Sequence, residues 1–152
     1  MIGVFTCADF EITPEELLTR ASRARANSYS PYSRYAVGAA LLASDGRVFC
    51  GCNIENASYS ATVCAERAAF FAAVSAGVRE FVAIAVAGGP VGEDCRVCTP
   101  CGICRQVMAE FCRSDLCVVL LGEDGGATVR RLGELLPDSF GAAQMREGGQ
   151  GV

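Results

Sequence analysis

Apolar positions change period several times along the chain, and each change marks an element. From Leu17 to Ala24 they fall at helical spacing (Leu17, Leu18, Ala21, Ala24). Thr13-Pro14-Glu15-Glu16 stands in front of them. A capping threonine, proline at the first helical position and glutamate three residues after the cap predict that a helix opens here and fades near Asn27-Ser28. Ser30-Pro31 and Tyr32-Ser33 mark a loop over 29–34. Tyr35 to Ala43 is a nearly continuous apolar run, which predicts a buried strand. Asp45-Gly46 is a hairpin signal, with Arg47 to Cys52 returning as the second strand.

A polar, irregular stretch over 53–61 leads to an alanine-rich helix from about Thr62 to Ala76, stopped by Gly77. Phe81 to Ala87 predicts a third strand and Gly88 to Val97 a loop. Thr99 reads as the cap of another helix with Pro100 at its first position, running to about Cys112. Leu116 to Leu121 predicts a fourth strand. Asp124-Gly125-Gly126 turns into a fifth, Ala127 to Leu132, and a short helix closes over 133–136. The stretch 141–152 is glycine-rich without an apolar period and reads as a flexible tail. The order α-β-β-α-β-α-β-β predicts one α/β domain over residues 1–140. It has a mixed sheet covered by helices, antiparallel at its hairpins and parallel across its helical crossovers.

Composition narrows the possible functions. Of the 152 residues 51% are hydrophobic, enough for a core without crosslinks. A net charge of -4 and a pI near 4.8, with no basic run, are poorly suited to gripping nucleic acid or an anionic membrane. The apolar runs fall well short of the ~20 residues of a membrane span. Met1 to Phe5 carries no side-chain cation and does not read as a secretory signal. The expectation is a soluble cytoplasmic protein with a small-molecule substrate and neither nucleic-acid nor membrane partners. There is no histidine, and all 13 basic residues are arginine. Acid–base work near neutral pH therefore falls to a carboxylate, a thiol or a metal-bound water, and no lysine can form a Schiff base.

Ten cysteines remain to be explained. A disulfide framework suits neither an apolar chain nor the lack of an export signal. Cys50, Cys52 and Cys117 lie in strand-like segments and read as small buried hydrophobes. Cys64-Ala65-Glu66 and Thr99-Pro100-Cys101-Gly102-Ile103-Cys104 are different, because together they can hold one Zn2+ with three thiolates. Three protein ligands leave the fourth tetrahedral position open, as in a catalytic site. Both segments begin predicted helices, whose N–H groups favour thiolates. Three thiolates around zinc leave a net charge of about -1. Arg67 is the candidate to offset it, against the plainer reading of a solvent-facing residue. Glu66 is the candidate to move protons on and off the metal's water, against a plain surface carboxylate. Cys95, Cys98, Cys101 and Cys104, each separated by two residues, suggest instead an iron–sulfur or four-cysteine structural zinc site. Neither rival uses Cys64-Ala65-Glu66.

Cys64-Ala65-Glu66-Arg67 followed by Pro100-Cys101-Gly102-Ile103-Cys104-Arg105-Gln106 resembles the cytidine deaminase family, in particular its small homotetrameric, three-cysteine kind. Tyr32-Ser33, Val37 to Leu41, Gly51 to Ala57, and Leu135-Leu136-Pro137 with Phe140 are similar to family segments in the same order. The resemblance covers about residues 12–140. It implies a three-layer α/β/α sandwich with a five-stranded mixed sheet. It implies Cys64, Cys101 and Cys104 as ligands of one zinc per chain, and Glu66 as the proton shuttle. It implies Asn53 and Glu55 on the ribose hydroxyls, with Ala65 and Tyr35 also facing substrate. Tyr59 and Phe140 would reach across subunit interfaces of a homotetramer. The implied reaction is hydrolytic deamination of cytidine and 2′-deoxycytidine to the uridines with release of ammonia, in pyrimidine salvage. A related substrate such as blasticidin S or a nucleotide is the alternative, and Glu55 favours a free nucleoside because it would repel phosphate. An RNA-binding or polynucleotide-editing module is the reading from another class, opposed by the acidic charge. Two departures stand out: Tyr35 replaces the family's usual phenylalanine, and Cys95 and Cys98 are additional thiols.

Overall fold

The computed structural model describes residues 3–7 and 9–146. Alternation along the central strands decides its layering. Ala39, Leu41 and Ala43 of β3 (Tyr35–Ala43) point into one apolar cluster, and Ala40 and Leu42 into another. The same division holds on β5 (Phe81–Pro90) and β6 (Cys117–Leu121): Ile84, Val86, Val118 and Leu120 face one way, Ala83, Ala85, Cys117 and Val119 the other. Strands buried on both faces must be apolar throughout, which is why these runs lack polar positions.

With β4 (Val48–Cys52) and β7 (Ala127–Arg131), these strands form a five-stranded sheet in the order β4-β3-β5-β6-β7. Only β5 and β6 are parallel neighbours; the other pairs are antiparallel. The helix α1 (Pro14–Ala24) covers one face, and α2 (Ala65–Ser75) and α3 (Gly102–Phe111) cover the other. The expected α/β/α sandwich with a mixed five-stranded sheet is therefore observed. Thr13 caps α1 in a full capping box with Glu16, as its sequence predicts.

α2 is seated tightly, and this matters because the site begins at its first turn. Phe70 is fully buried, edge-on to Phe81 at 5.1 Å and stacked on Phe111 at 6.0 Å. Removing such a ring costs about 3–5 kcal/mol. Gly51 of β4 lets the strand and helix meet: a Cβ there would lie 2.4 Å from the Ala65 carbonyl oxygen.

Several boundaries differ from the expectations. A hairpin of β1 (Phe5–Cys7) and β2 (Phe10–Ile12), each only three residues long, precedes α1. β5 continues through Gly88 and Gly89 to Pro90. α3 is capped by Cys101, not Thr99, so the chain stays extended past Pro100. Cys64 is likewise the cap of α2 and not part of its first turn. Cys50 is exposed on edge strand β4, and Cys52 half-buried; only Cys117 of that trio is a buried hydrophobe. The short α4 (Leu132–Leu135) follows β7 directly, and α5 (Ala142–Arg146) occupies part of the segment read as a tail. The rest of that tail, 147–152, lies outside the described residues.

Candidate active site

The two helix caps converge. Cys64 Sγ lies 3.8 Å from Cys101 Sγ, which lies 3.5 Å from Cys104 Sγ, and all three sulfurs fall within 4.8 Å of one another. Thiolates at the ~2.3 Å zinc–sulfur distance of a tetrahedral site stand about 3.8 Å apart, so the triangle fits a zinc ion. Both caps are extended (ψ 156° at Cys64, 166° at Cys101), which projects their side chains beyond the helix ends. Cys104 is buried, Cys64 half-buried and Cys101 exposed. The four-cysteine run does not converge in this way. Cys95 packs toward the α1 face of the sheet, beside Ser22 and Arg25, whereas Cys98 packs toward the α2/α3 face.

Electrostatics mark the same corner. A hydrogen bond with Cys104, aided by Arg67 and Cys101, holds the Cys64 thiol down at about 5. The reciprocal bond and burial push Cys104 far above the usual thiol range. A divalent cation bound at this corner would replace thiol protons. Arg67 sends Nη2 to the Thr62 carbonyl at 3.2 Å and to Cys64 Sγ at 3.6 Å, while its buried Nε has no partner among the described residues. Glu66 is 4% exposed. Burial first, then the nearby Cys64, pushes its carboxyl up to about 7. Ala65 is fully buried between Cys64 and Glu66.

Of the other expected residues, Glu55 and Tyr59 line one cavity, and Asn53, Tyr35 and Phe140 lie outside its lining. Glu55 accepts from the Tyr32 N–H at 2.9 Å and from the N–H and hydroxyl of Ser33. The Ser33 bond is the largest cause of its lowered carboxyl pKa. Glu55, Tyr32, Ser33, Tyr59 and Thr62 surround a cavity of about 350 Å³. Thr62 ties this cavity to the sulfurs through Arg67. A larger cavity, about 510 Å³ between α1 and β4, touches none of the expected residues. Asn53 is turned toward the backbone. Its Oδ1 accepts from the Val37 N–H at 2.9 Å and the Ser28 hydroxyl, and its Nδ2 donates to the Tyr35 carbonyl at 2.8 Å. Tyr59 and Phe140 are 73% and 60% exposed, so neither is held in this subunit's core. Tyr59 meets Tyr32 edge-on at 5.6 Å, and the Phe140 carbonyl accepts from Gln106. Tyr35 begins β3, with the edge of its ring and the Cys98 sulfur both beside Gly88. Tyr32, Ser33 and Thr62 had no assigned role in the sequence; the signal available was the polar Tyr-Ser pair beside Pro31.

An α/β/α sandwich with a three-thiol metal-binding corner beside a buried carboxylate defines a class of zinc hydrolase folds. Residues 12–120 match the zinc-binding region of cytidine and deoxycytidylate deaminases. A cytidine deaminase of Sporosarcina psychrophila is 50% identical over 129 residues, 83% of this chain and 90% of that protein. One from Mycobacterium tuberculosis (strain ATCC 25618 / H37Rv) is 48% identical over 121 residues, 80% and 84% of the two. The 1.6 Å crystal structure of cytidine deaminase from Burkholderia pseudomallei matches with a TM-score of 0.77 at 50% identity, covering 85% of this chain and 100% of that one. The chain belongs to the cytidine and deoxycytidylate deaminase family.

Proposed function

We propose that this chain hydrolyses cytidine and 2′-deoxycytidine to uridine and 2′-deoxyuridine, releasing ammonia, with one zinc held by Cys64, Cys101 and Cys104. The observation that carries the reading is the sulfur triangle with buried Glu66 two residues from its first corner. When bound, zinc supplies a Lewis acid that lets water ionise near neutral pH. Glu66, with a carboxyl poised near neutrality, would move both protons of that water in turn, one to the ring nitrogen of the base and one to the departing amine. Arg67 draws negative charge from Cys64 and keeps the three-thiolate corner from becoming too electron-rich.

The sugar is read in the 350 Å³ cavity. Tyr32 and Ser33 hold the Glu55 carboxylate there, where it can accept from ribose hydroxyls. Asn53 keeps one amide N–H beyond its bond to Tyr35 and adds a donor. A carboxylate in this cavity repels phosphate, which favours free nucleosides over nucleotides. Tyr59 and Phe140, exposed here, complete neighbouring sites in a homotetramer. Among the described residues no helix is long and apolar enough to cross a membrane. A cytoplasmic role in pyrimidine salvage follows from the same reading. Loss of cytidine absorbance on mixing with the protein, absent for Glu66→Gln that still holds zinc, tests it.

A further inference from the structure

The three residues that follow β4, Asn53 to Glu55, are gripped along their length by the loop over 28–33. The Tyr29 N–H donates to the Asn53 carbonyl at 3.0 Å, and the Glu55 N–H donates to the Tyr29 carbonyl at 2.8 Å. At one end of this loop, Tyr32 and Ser33 hold the Glu55 carboxylate. At the other end stands Ser28, which closes the 3-10 turn Arg25–Asn27 after α1, and its hydroxyl bonds Asn53 Oδ1. The backbone settles the direction of that bond. The Val37 N–H can only donate and the Tyr35 carbonyl can only accept, so the Asn53 amide has one orientation, oxygen toward Val37 and nitrogen toward Tyr35. A hydroxyl that meets Oδ1 must then give it a proton. The buried Ser30 Oγ, 3.1 Å from Ser28 Oγ, is a second acceptor in reach, and Asn53 is the nearer of the two.

We propose that Ser28 is a positioning residue for sugar recognition: it fills the last lone pair of the Asn53 side-chain oxygen and leaves the amide one free N–H to offer a ligand. Oδ1 has two lone pairs, one taken by Val37 and one by Ser28, and Nδ2 has two hydrogens, one of them taken by Tyr35. The remaining N–H is the polar capacity that Asn53 keeps. Two bonds accepted at the amide oxygen also draw charge from the nitrogen and strengthen that N–H as a donor. Glu55 is the opposite case, since an ionised carboxylate only accepts. The pair thus meets a hydroxyl-bearing sugar as one donor and one acceptor, and Ser28 sets the donor half. The kinetic form of this inference rests on the deaminase reading above.

The test compares Ser28→Ala with wild type on cytidine and on 2′,3′-dideoxycytidine, which lacks the sugar hydroxyls. On cytidine, kcat/KM is expected to fall roughly three- to tenfold, the effect of removing one neutral hydrogen bond. On the dideoxy compound, read as kcat/KM or as an inhibition constant against cytidine, the loss is expected to stay below about twofold, because no hydroxyl is left for the amide to meet. Equal losses on both compounds would make Ser28 a merely structural residue, and no loss on cytidine would leave it without a role; either overturns the proposal. Unfolding midpoints form a second, activity-free arm, a double-mutant cycle with Asn53→Ala. Ser28→Ala is expected to lower the midpoint by about 3 °C where Asn53 is present and by less than about half as much where it is not. Equal drops in the two backgrounds would mean that Ser28 does not act through Asn53. A wild-type chain inactive on cytidine would remove the deaminase reading, and the unfolding cycle would still decide whether Ser28 holds Asn53.

Discussion

Nη2 of Arg67 lies 3.6 Å from Cys64 Sγ, the sulfur whose thiol is held down at about 5. The two residues are three apart across the first turn of α2, so the contact is set by the helix itself. The same nitrogen reaches the Thr62 carbonyl, at the wall of the Glu55 cavity. One side chain thus joins the sulfur corner to the Glu55 cavity.

Replacing Arg67 by glutamine leaves the sulfurs in place but removes their cation. A hydrogen bond to a charged group contributes about 1.5–3 kcal/mol, so kcat is expected to fall roughly ten- to hundredfold. Zinc per chain, measured by atomic emission, is expected to stay near one. Unchanged turnover would assign Arg67 to packing alone.

Asn53 has a structural duty beside its proposed sugar contact. Alanine there strands the Val37 N–H and the Tyr35 carbonyl. The expected cost is about 2–4 kcal/mol, seen as a lower unfolding midpoint, together with a raised KM for cytidine. A rise in KM at unaltered stability would mean the backbone bonds contribute little.

The contact of β4 with α2 leaves no room at Gly51, whose Cβ would meet the Ala65 carbonyl at 2.4 Å and the Ala69 nitrogen at 2.6 Å. Gly51→Ala pushes on the turn that presents Cys64 and Glu66. An overpacking cost of about 1–3 kcal/mol is expected, with a matching drop in zinc affinity. Thermal unfolding and competition with a chromogenic chelator read the two effects separately.

How much of this was legible beforehand depends on how far apart the cooperating residues are. Thr13 with Pro14 and Glu16 specified the start of α1, since every partner lies within one helical turn. The continuous apolar run specified β3 to the residue. Three-residue strands such as β1 and β2 are too short to display a period. Gly88 and Gly89 read as a strand break, yet they are where Cys98 and Asp94 crowd β5 from another segment. Thr99-Pro100 carries a good cap signal, but the helix waits for Cys101, which brings the sulfurs together. Within the site, Cys64, Glu66, Cys101 and Cys104 were readable from local spacing and from the family resemblance. The meeting of Tyr35 and Cys98 beside Gly88 joins residues 63 positions apart and had no local signal.

Stripping the metal tests the ligand assignment. Dialysis against a strong chelator is expected to abolish turnover, lower the unfolding midpoint by more than about 5 °C, and open Cys64, Cys101 and Cys104 to rapid alkylation. Added zinc is expected to reverse all three changes. Alkylation mapped to Cys95 and Cys98 instead would place the ion elsewhere.

The most direct measurement compares wild type and Glu66→Gln for zinc content and cytidine turnover in the same preparation. The expected result is one zinc per chain in both proteins, with kcat in the variant lower by at least about a thousandfold, the upper range for losing a general acid–base group. A variant that keeps zinc and turns over cytidine at the wild-type rate would contradict the role given to Glu66.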